Sequence, residues 1–266
     1  MRILPVALLA WSVAAAPASA EQDLLLGANM NTPAMTQAEI SRADIEALIG
    51  KAAGQPIDLT DKALSGLDLS GLNLRGANLR TARLNKTNLR GADLTGANLE
   101  QAWFIKADLS GAKLVGAKMF GITARDANLS GADLSRSMPI GDFRGANMSG
   151  ATLVDLKGGA DLKNQSMGLM RAVFVSVNLK GANLKGANLG RSRLEYADLT
   201  DADLTDVVLM GSDLSGANLT GATVAGADFK NVEVGGARLQ SLKGQDSAKG
   251  WSALINADRA ITDKTN

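Results

Sequence analysis

From Leu59 to Pro139 every fifth residue is apolar. Thirteen of these seventeen positions are Leu, and the others are Phe104, Met119, Ala124 and Pro139. The beat returns from Phe174 to Leu239, where ten of fourteen positions are Leu, joined by Phe174, Val224, Phe229 and Val234. Two residues before each sits a small or branched residue, as at Ala77, Ala92, Ala182 and Ala202. Asn or Asp usually stands just before the central residue, as at Asn78, Asp93, Asn183 and Asp203, and Gly often closes the unit, as at Gly91 and Gly186. A period of five fits neither a helix nor a strand. A chain that points two residues inward and three outward in every five must turn at every unit. Four right-angle turns close a square, so about twenty residues make one coil of a repeat architecture. Gly supplies backbone conformations that other residues reach only with strain.

The runs LRGADLTGANLE and LKGANLKGANLG resemble the pentapeptide-repeat family, A-[D/N]-L-x-x, and the resemblance spans residues 57–241. It implies an all-β fold, a right-handed, quadrilateral β-solenoid. At a strand spacing of about 4.8 Å, roughly nine coils make a rod on the order of 43 Å long. It implies little about function, because one fold hosts many.

Open solenoid ends expose core and strand edges, so both need caps. The segment 35–53 is expected to supply a helical cap. In it, Thr36 and Glu39 have capping-box spacing, Met35 and Ile40 suit a hydrophobic staple, and Gly50 is the stop. Ile40, Ile45, Leu48 and Ile49 would cover the first coil. At the other end, 247–260 carries Trp251, Leu254 and Ile255 and is expected to form a second short α-helical cap. The beat breaks over 139–173: it loses one residue between Pro139 and Phe143, slips again towards Leu162, and recovers by Phe174. Either an insertion bulges out at a corner there, or a contact loop protrudes.

The first twenty residues have another character. Arg2 precedes an apolar stretch from Ile3 to Ala16, and Ala18-Ser19-Ala20 is a small-x-small site before Glu21. This reads as a secretory signal peptide over 1–20, with a lead-in over 21–34. The expected compartment is the bacterial periplasm or exterior, with no stable membrane insertion. The whole chain has 28 Lys and Arg against 27 Asp and Glu, a formal charge of +1. Removal of Arg2 with the leader makes it neutral. Such a balance offers no polybasic surface for nucleic acid.

The chain contains neither His nor Cys. Ser–His–Asp and Cys–His nucleophilic sites and ordinary zinc sites therefore drop out, as does the commonest general base near neutral pH. No phosphate-loop motif is present, so no cofactor is expected. An acidic cluster, Asp198, Asp201, Asp203 and Asp206, faces outward. It reads as a hydrated patch in preference to a Ca²⁺ site, since no calcium-repeat motif accompanies it. Outward aromatic and large apolar residues are scarcer. Trp103 and Ile105 share one side of the square, and Phe120 and Ile140 lie in one column of the adjoining side, with Met138 nearby. This group is either a contact surface for a partner or a surface covered by the irregular loop or a cap.

These features favour a non-enzymatic scaffold or protein-binding module of the cell envelope. Its partner would be an envelope protein or cell-wall component, with a homodimer through a solenoid end or face as a further option. The family resemblance also implies a second class, protection of DNA topoisomerases by mimicry of duplex DNA. That reading prefers an acidic rod in the cytoplasm. An enzyme is the third class, disfavoured by the missing residues. Ice or mineral binding would need a regular outward array, and the column Thr60, Arg80, Glu100, Phe120, Ile140 is not one.

Overall fold

A computed structural model describes residues 29–160 and 170–263. Four ladders of parallel bridges define four sides. The first runs through Asp58, Asn78, Asn98, Lys118 and Met138, and the second through Ala63, Arg83, Trp103 and Thr123. The third runs through Asp68, Asn88, Asp108 and Asn128, and the fourth through Asn73, Asp93, Lys113 and Asp133. Partners lie twenty residues apart, which is the coil length expected from four five-residue units.

One unit shows why the sequence folds this way. Leu184 is fully buried, with Ala182 and Ala187 beside it. The Leu184 N–H donates to the Asp203 carbonyl at 2.8 Å in one neighbouring coil, and the Asn183 N–H donates to the Ala151 carbonyl at 2.9 Å in the other. The turn then closes when the Ala187 N–H donates to the Leu184 carbonyl at 2.9 Å. Gly186 sits inside that turn with φ of +68°, a conformation glycine enters without a Cβ penalty. Other units accept the strain, with Lys86 and Tyr196 left-handed at the equivalent place. The preceding Asn or Asp turns its side chain onto its own backbone, as when the Lys185 N–H donates to Asn183 Oδ1 at 3.1 Å. Within the stacked coils backbone groups are thereby paired on both flanks of an inward Leu such as Leu184, so a core one side chain wide suffices.

The irregular segment resolves into a deletion and an insertion. Asn128 pairs with Asn147, and Asp133 with Thr152, so this coil has one residue fewer than the others. The loss falls at Pro139, which is buried at an inward position and has no N–H to donate. The Ile140 N–H instead bonds the Met138 carbonyl at 2.9 Å. Just here the bridges widen into a short parallel sheet of β1 (Ile122–Thr123), β2 (Gly141–Asp142) and β3 (Ala172–Val173). The next coil is longer, because Asn147 pairs with Asn178 and Thr152 with Asn183. Its extra residues leave after Ala160 and return at Arg171 and Ala172. The Ala172 N–H closes the base on the Gly158 carbonyl at 2.9 Å. Leu162 lies outside the described residues. Phe143 and Phe174 restore the packing edge to face, with ring centroids 5.3 Å apart.

Both ends differ from expectation. At the N-terminus, the single helical cap expected over 35–53 is replaced by α1 (Pro33–Thr36) and α2 (Arg42–Ala52). The capping box belongs to Ser41 and Asp44, whose side chains and backbones satisfy each other reciprocally. Thr36 and Glu39 do not form one, because the chain between the helices is taken by the solenoid edge. Ala38 bridges Leu64 in antiparallel fashion, and the Glu39 N–H donates to the Ala63 carbonyl at 2.9 Å. An unpaired edge strand gains more from these bonds than a helical turn would. Gly50 lies inside α2, which ends at left-handed Ala53. Ile45 is fully buried, with Ile40 and Ile49 packed against the core. Leu48 faces away, 40% exposed.

At the C-terminus no α-helix forms over 247–260. Three 3₁₀ turns appear instead, Gln245–Ser247, Trp251–Ala253 and Ala257–Arg259. After each turn in order, Lys249, Ile255 and Ile261 bridge Asp228, Glu233 and Arg238. The step is six residues, and the added residue per side is absorbed by the 3₁₀ turn. The segment is therefore a further coil laid on the end of the solenoid. Trp251 packs edge to face on Phe229 at 5.1 Å and closes the last layer of core.

Candidate functional site: an apolar corner and a side groove

Three of the five candidate contact residues meet at one corner. Phe120 and Ile140 occupy the corner between the first and second sides in successive coils, where the Gly121 N–H donates to the Ile140 carbonyl at 2.7 Å. Met138 stands beside them on the first side and is 42% exposed. Trp103 lies on the second side, between Arg83 and Thr123 of the flanking coils. Phe120, Ile140 and Trp103 are half-buried. Gly141 of this coil pairs with Ala172 of the next, so Ile140 lies against the point where the insertion returns. Met170, exposed at 41%, belongs to that return.

Ile105 is not part of this group. It sits at the opposite corner of the second side, where its N–H bonds Asn85 Oδ1 at 3.1 Å. There it lines a groove of about 400 Å³ with Met30, Met35, Asn85, Lys86 and Lys106. The N-terminal segment forms one bank, held by Arg83 Nε donating to the Ala34 carbonyl at 3.0 Å and Asn85 Nδ2 donating to the Met35 carbonyl at 3.2 Å. Lys62 adds an ion pair with Glu39 at 2.7 Å, and the hydrogen bond and charge of Lys62 hold that carboxyl below its ordinary range.

The acidic cluster is spread over two sides. Asp198 is on the third side, between Asn178 and Asn218, and Asp203 is on the fourth, between Asn183 and Thr223. Each turns inward on its own turn: the Thr200 N–H donates to Asp198 Oδ1 at 3.0 Å, and the Thr205 N–H to Asp203 Oδ1 at 2.9 Å. Asp201 and Asp206 occupy left-handed turn positions. Among the described residues no group of carboxylates converges in a way that could hold a metal ion. The same turn chemistry recurs at Asp58, where the Thr60 hydroxyl and N–H both donate and hold the carboxyl below its ordinary range.

The structure also gathers charges that sequence reading passed over. Arg125 Nε lies 2.5 Å from Asp142 Oδ2, and Arg144 Nε lies 3.2 Å from Asp142 Oδ1. The Asp142 side chain is only 6% exposed. Further along the same side Arg193 clasps Glu195 at 2.7 Å. The signal was the single-residue deletion, visible in the sequence but not in its consequence: it brings residue 142 under residue 123 and so carries Asp142 to Arg125.

A family described as pentapeptide repeats matches in eight copies over residues 63–101, 82–121, 102–138, 172–209 and 208–241, together more than half of the chain. The gap in the matches coincides with the irregular segment. Among curated proteins no match is found. Among solved structures the chain is similar to HetL, a pentapeptide repeat protein involved in heterocyst differentiation regulation from the cyanobacterium Nostoc sp. strain PCC 7120. The two are 28% identical, with 84% of this chain and 94% of HetL covered and a TM-score of 0.41. It is also similar to full-length QnrB1, a plasmid-mediated fluoroquinolone resistance protein, at 18% identity, 74% and 94% coverage and a TM-score of 0.54. At that identity the likeness concerns the fold alone. From repeat and fold together, the chain belongs to the pentapeptide-repeat family, whose members form right-handed, four-sided β-solenoids.

Proposed function

We propose that this chain is a non-enzymatic scaffold or protein-binding module of the bacterial cell envelope. The observation that carries the reading is the apolar corner of Phe120, Ile140 and Met138, with Trp103 beside it and the base of the insertion next to it. A rigid rod that leaves large apolar side chains partly open beside an inserted loop has the form of a contact surface. Its partner is an envelope protein or cell-wall component. Placement in the envelope rests on residues 1–20, which lie outside the described residues.

In-cell cross-linking from the corner, followed by mass spectrometry, tests the reading directly. Trp103→Ala and Phe120→Ala should each weaken capture of the cross-linked partner by about 2 kcal/mol, since large aromatics at the centre of a contact carry most of its energy. Asp201→Asn is the control and should do little. Melting curves accompany each variant. Unchanged capture sinks the contact surface, and a large fall in Tm makes the corner a structural seam. Topoisomerase capture would favour the DNA-mimicry reading.

The secreted form should begin at Glu21. Intact-mass measurement on the periplasmic fraction checks this. A full-length chain in the cytosol would refute the envelope placement.

A further inference from the structure

The groove beside Ile105 has an apolar wall and a cationic rim. Its volume of about 400 Å³ falls within the range of small-molecule sites, about 300–1,000 Å³. The apolar lining is Ile105 with Met30 and Met35 of the N-terminal strap, residues 30–36, and all three are half-buried. Unbranched methionine side chains adapt to the apolar shape that lies against them. Asn85 stitches the two banks together, since its Nδ2 donates to the Met35 carbonyl and its Oδ1 accepts from the Ile105 N–H. Both ends of this amide are bonded within the protein, so it can lie beneath an apolar ligand at little cost.

Lys86 and Lys106 line the same groove and hold the same turn position in adjacent coils. The Lys86 N–H donates to the Ile105 carbonyl and the Lys106 N–H to the Arg125 carbonyl, each at 2.9 Å. Their backbones stand one coil spacing apart, about 4.8 Å, so both ammonium groups can reach one anion. Both lysines are exposed, and among the described residues neither forms an ion pair. The other charges on the lining are engaged elsewhere. Arg125 pairs with Asp142, and Asp126 turns over the next coil, its Oδ1 2.6 Å from the place a Cβ on Gly145 would take. The charge left open at the rim is therefore that of the two lysines. We propose that the groove binds a single-chain anionic amphiphile, a medium-chain fatty acid, with its carboxylate between Lys86 and Lys106 and its acyl chain along Ile105, Met30 and Met35. Lysine suits this task, because its stem packs on apolar surface while its charge stays in water. From Gly66 to Asp126 the groove crosses three coil spacings, about 14 Å, which gives an extended acyl chain room to lie. The inference does not rest on the scaffold reading, since Ile105 lies at the opposite corner of the second side from Phe120 and Ile140.

The test titrates decanoate, below its micellar concentration, into the full chain and follows calorimetry and the methyl NMR signals of Met30, Met35 and Ile105. The expected result is saturable one-to-one binding that moves those signals together. Octanoate should bind roughly fivefold more weakly, the scale of two partly buried CH₂ groups. The pair Lys86→Glu and Lys106→Glu should weaken decanoate roughly fivefold, the scale of two exposed charge pairs, and should make decylammonium the better ligand. Ile105→Gln should weaken both ligands. Circular dichroism and a melting curve check the fold of each variant. If Ile105→Gln disturbs it, the two lysine changes at exposed positions still decide the matter. Absence of saturable binding, decanoate bound no better than decanol, affinity indifferent to the charge swap, methyl shifts confined to other residues, or association with anionic-lipid vesicles alone would each overturn the proposal.

Discussion

Leu184→Asp should unfold the middle of the solenoid. The side chain is fully buried, and the core at that layer is one residue deep, so the carboxylate would meet neither a partner nor water. An uncompensated buried charge costs several kcal/mol, and the expected loss is above about 4 kcal/mol, in the range reserved for a named structural fault. The damage should spread, because a solenoid is stabilised through nearest-neighbour contacts. The Leu184 N–H and the Asp203 carbonyl form one of the bonds that would be disturbed. Asn183→Ser, one residue away on the outer surface, should change stability by no more than about 0.5 kcal/mol. Denaturant unfolding of the two variants gives the comparison. Equal stability would mean that the inward and outward positions have been assigned wrongly.

Gly141→Val should be nearly as damaging, and for a different reason. Gly141 does not need a left-handed backbone; it needs to be small. A Cβ at this position would overlap the backbone carbonyl and N–H of Ile122 and touch its Cγ2 at 2.8 Å. Backbone cannot rotate away as a flexible side chain can. The crowding follows from the lost residue, since β2 must pair with β1 and β3 in a coil that is short by one. The expected cost is about 3 kcal/mol, the upper part of the range for overpacking. Its signature should be local: hydrogen exchange should quicken in residues 119–144 before the regular coils respond. A Val variant as stable as the parent would show that the short coil has slack.

The inward register was legible because it is written in side-chain size. Ala at one place and Leu two residues later, repeated without drift, leave only one way to bury apolar area. The deletion near Pro139 could also be read, since a shift in the beat is visible in the string. Its consequence was not. Only the stacked coils reveal that Asp142 lies against Arg125, because those residues are seventeen apart in the chain and adjacent through a register that counts from the deletion. The same limit applies to Ile105. Sequence period placed it on the same side as Trp103. The N-terminal strap, which has no period, separates the two by building a groove around one of them.

The ends show the limit most plainly. Met35, Thr36, Glu39 and Ile40 satisfy the local rules for a helix start, and so do Ser41 and Asp44. Local propensity cannot rank the two, because the deciding term is the open edge at Ala63 and Leu64, which takes Ala38 and Glu39 as hydrogen-bond partners. At the other end Trp251, Leu254 and Ile255 have helical spacing, yet a six-residue step lets the chain add another layer of bridges, and a parallel edge already waits at Asp228, Glu233 and Arg238. By itself the sequence determined the repeat, its inward positions, the coil length and the site of the break, since each depends on burial within a few neighbouring residues. The tertiary structure decided the form of both caps, the charge pairs across coils and the groove. Those depend on which backbone edges stand unpaired once the solenoid exists, and that is a property of no local stretch of chain.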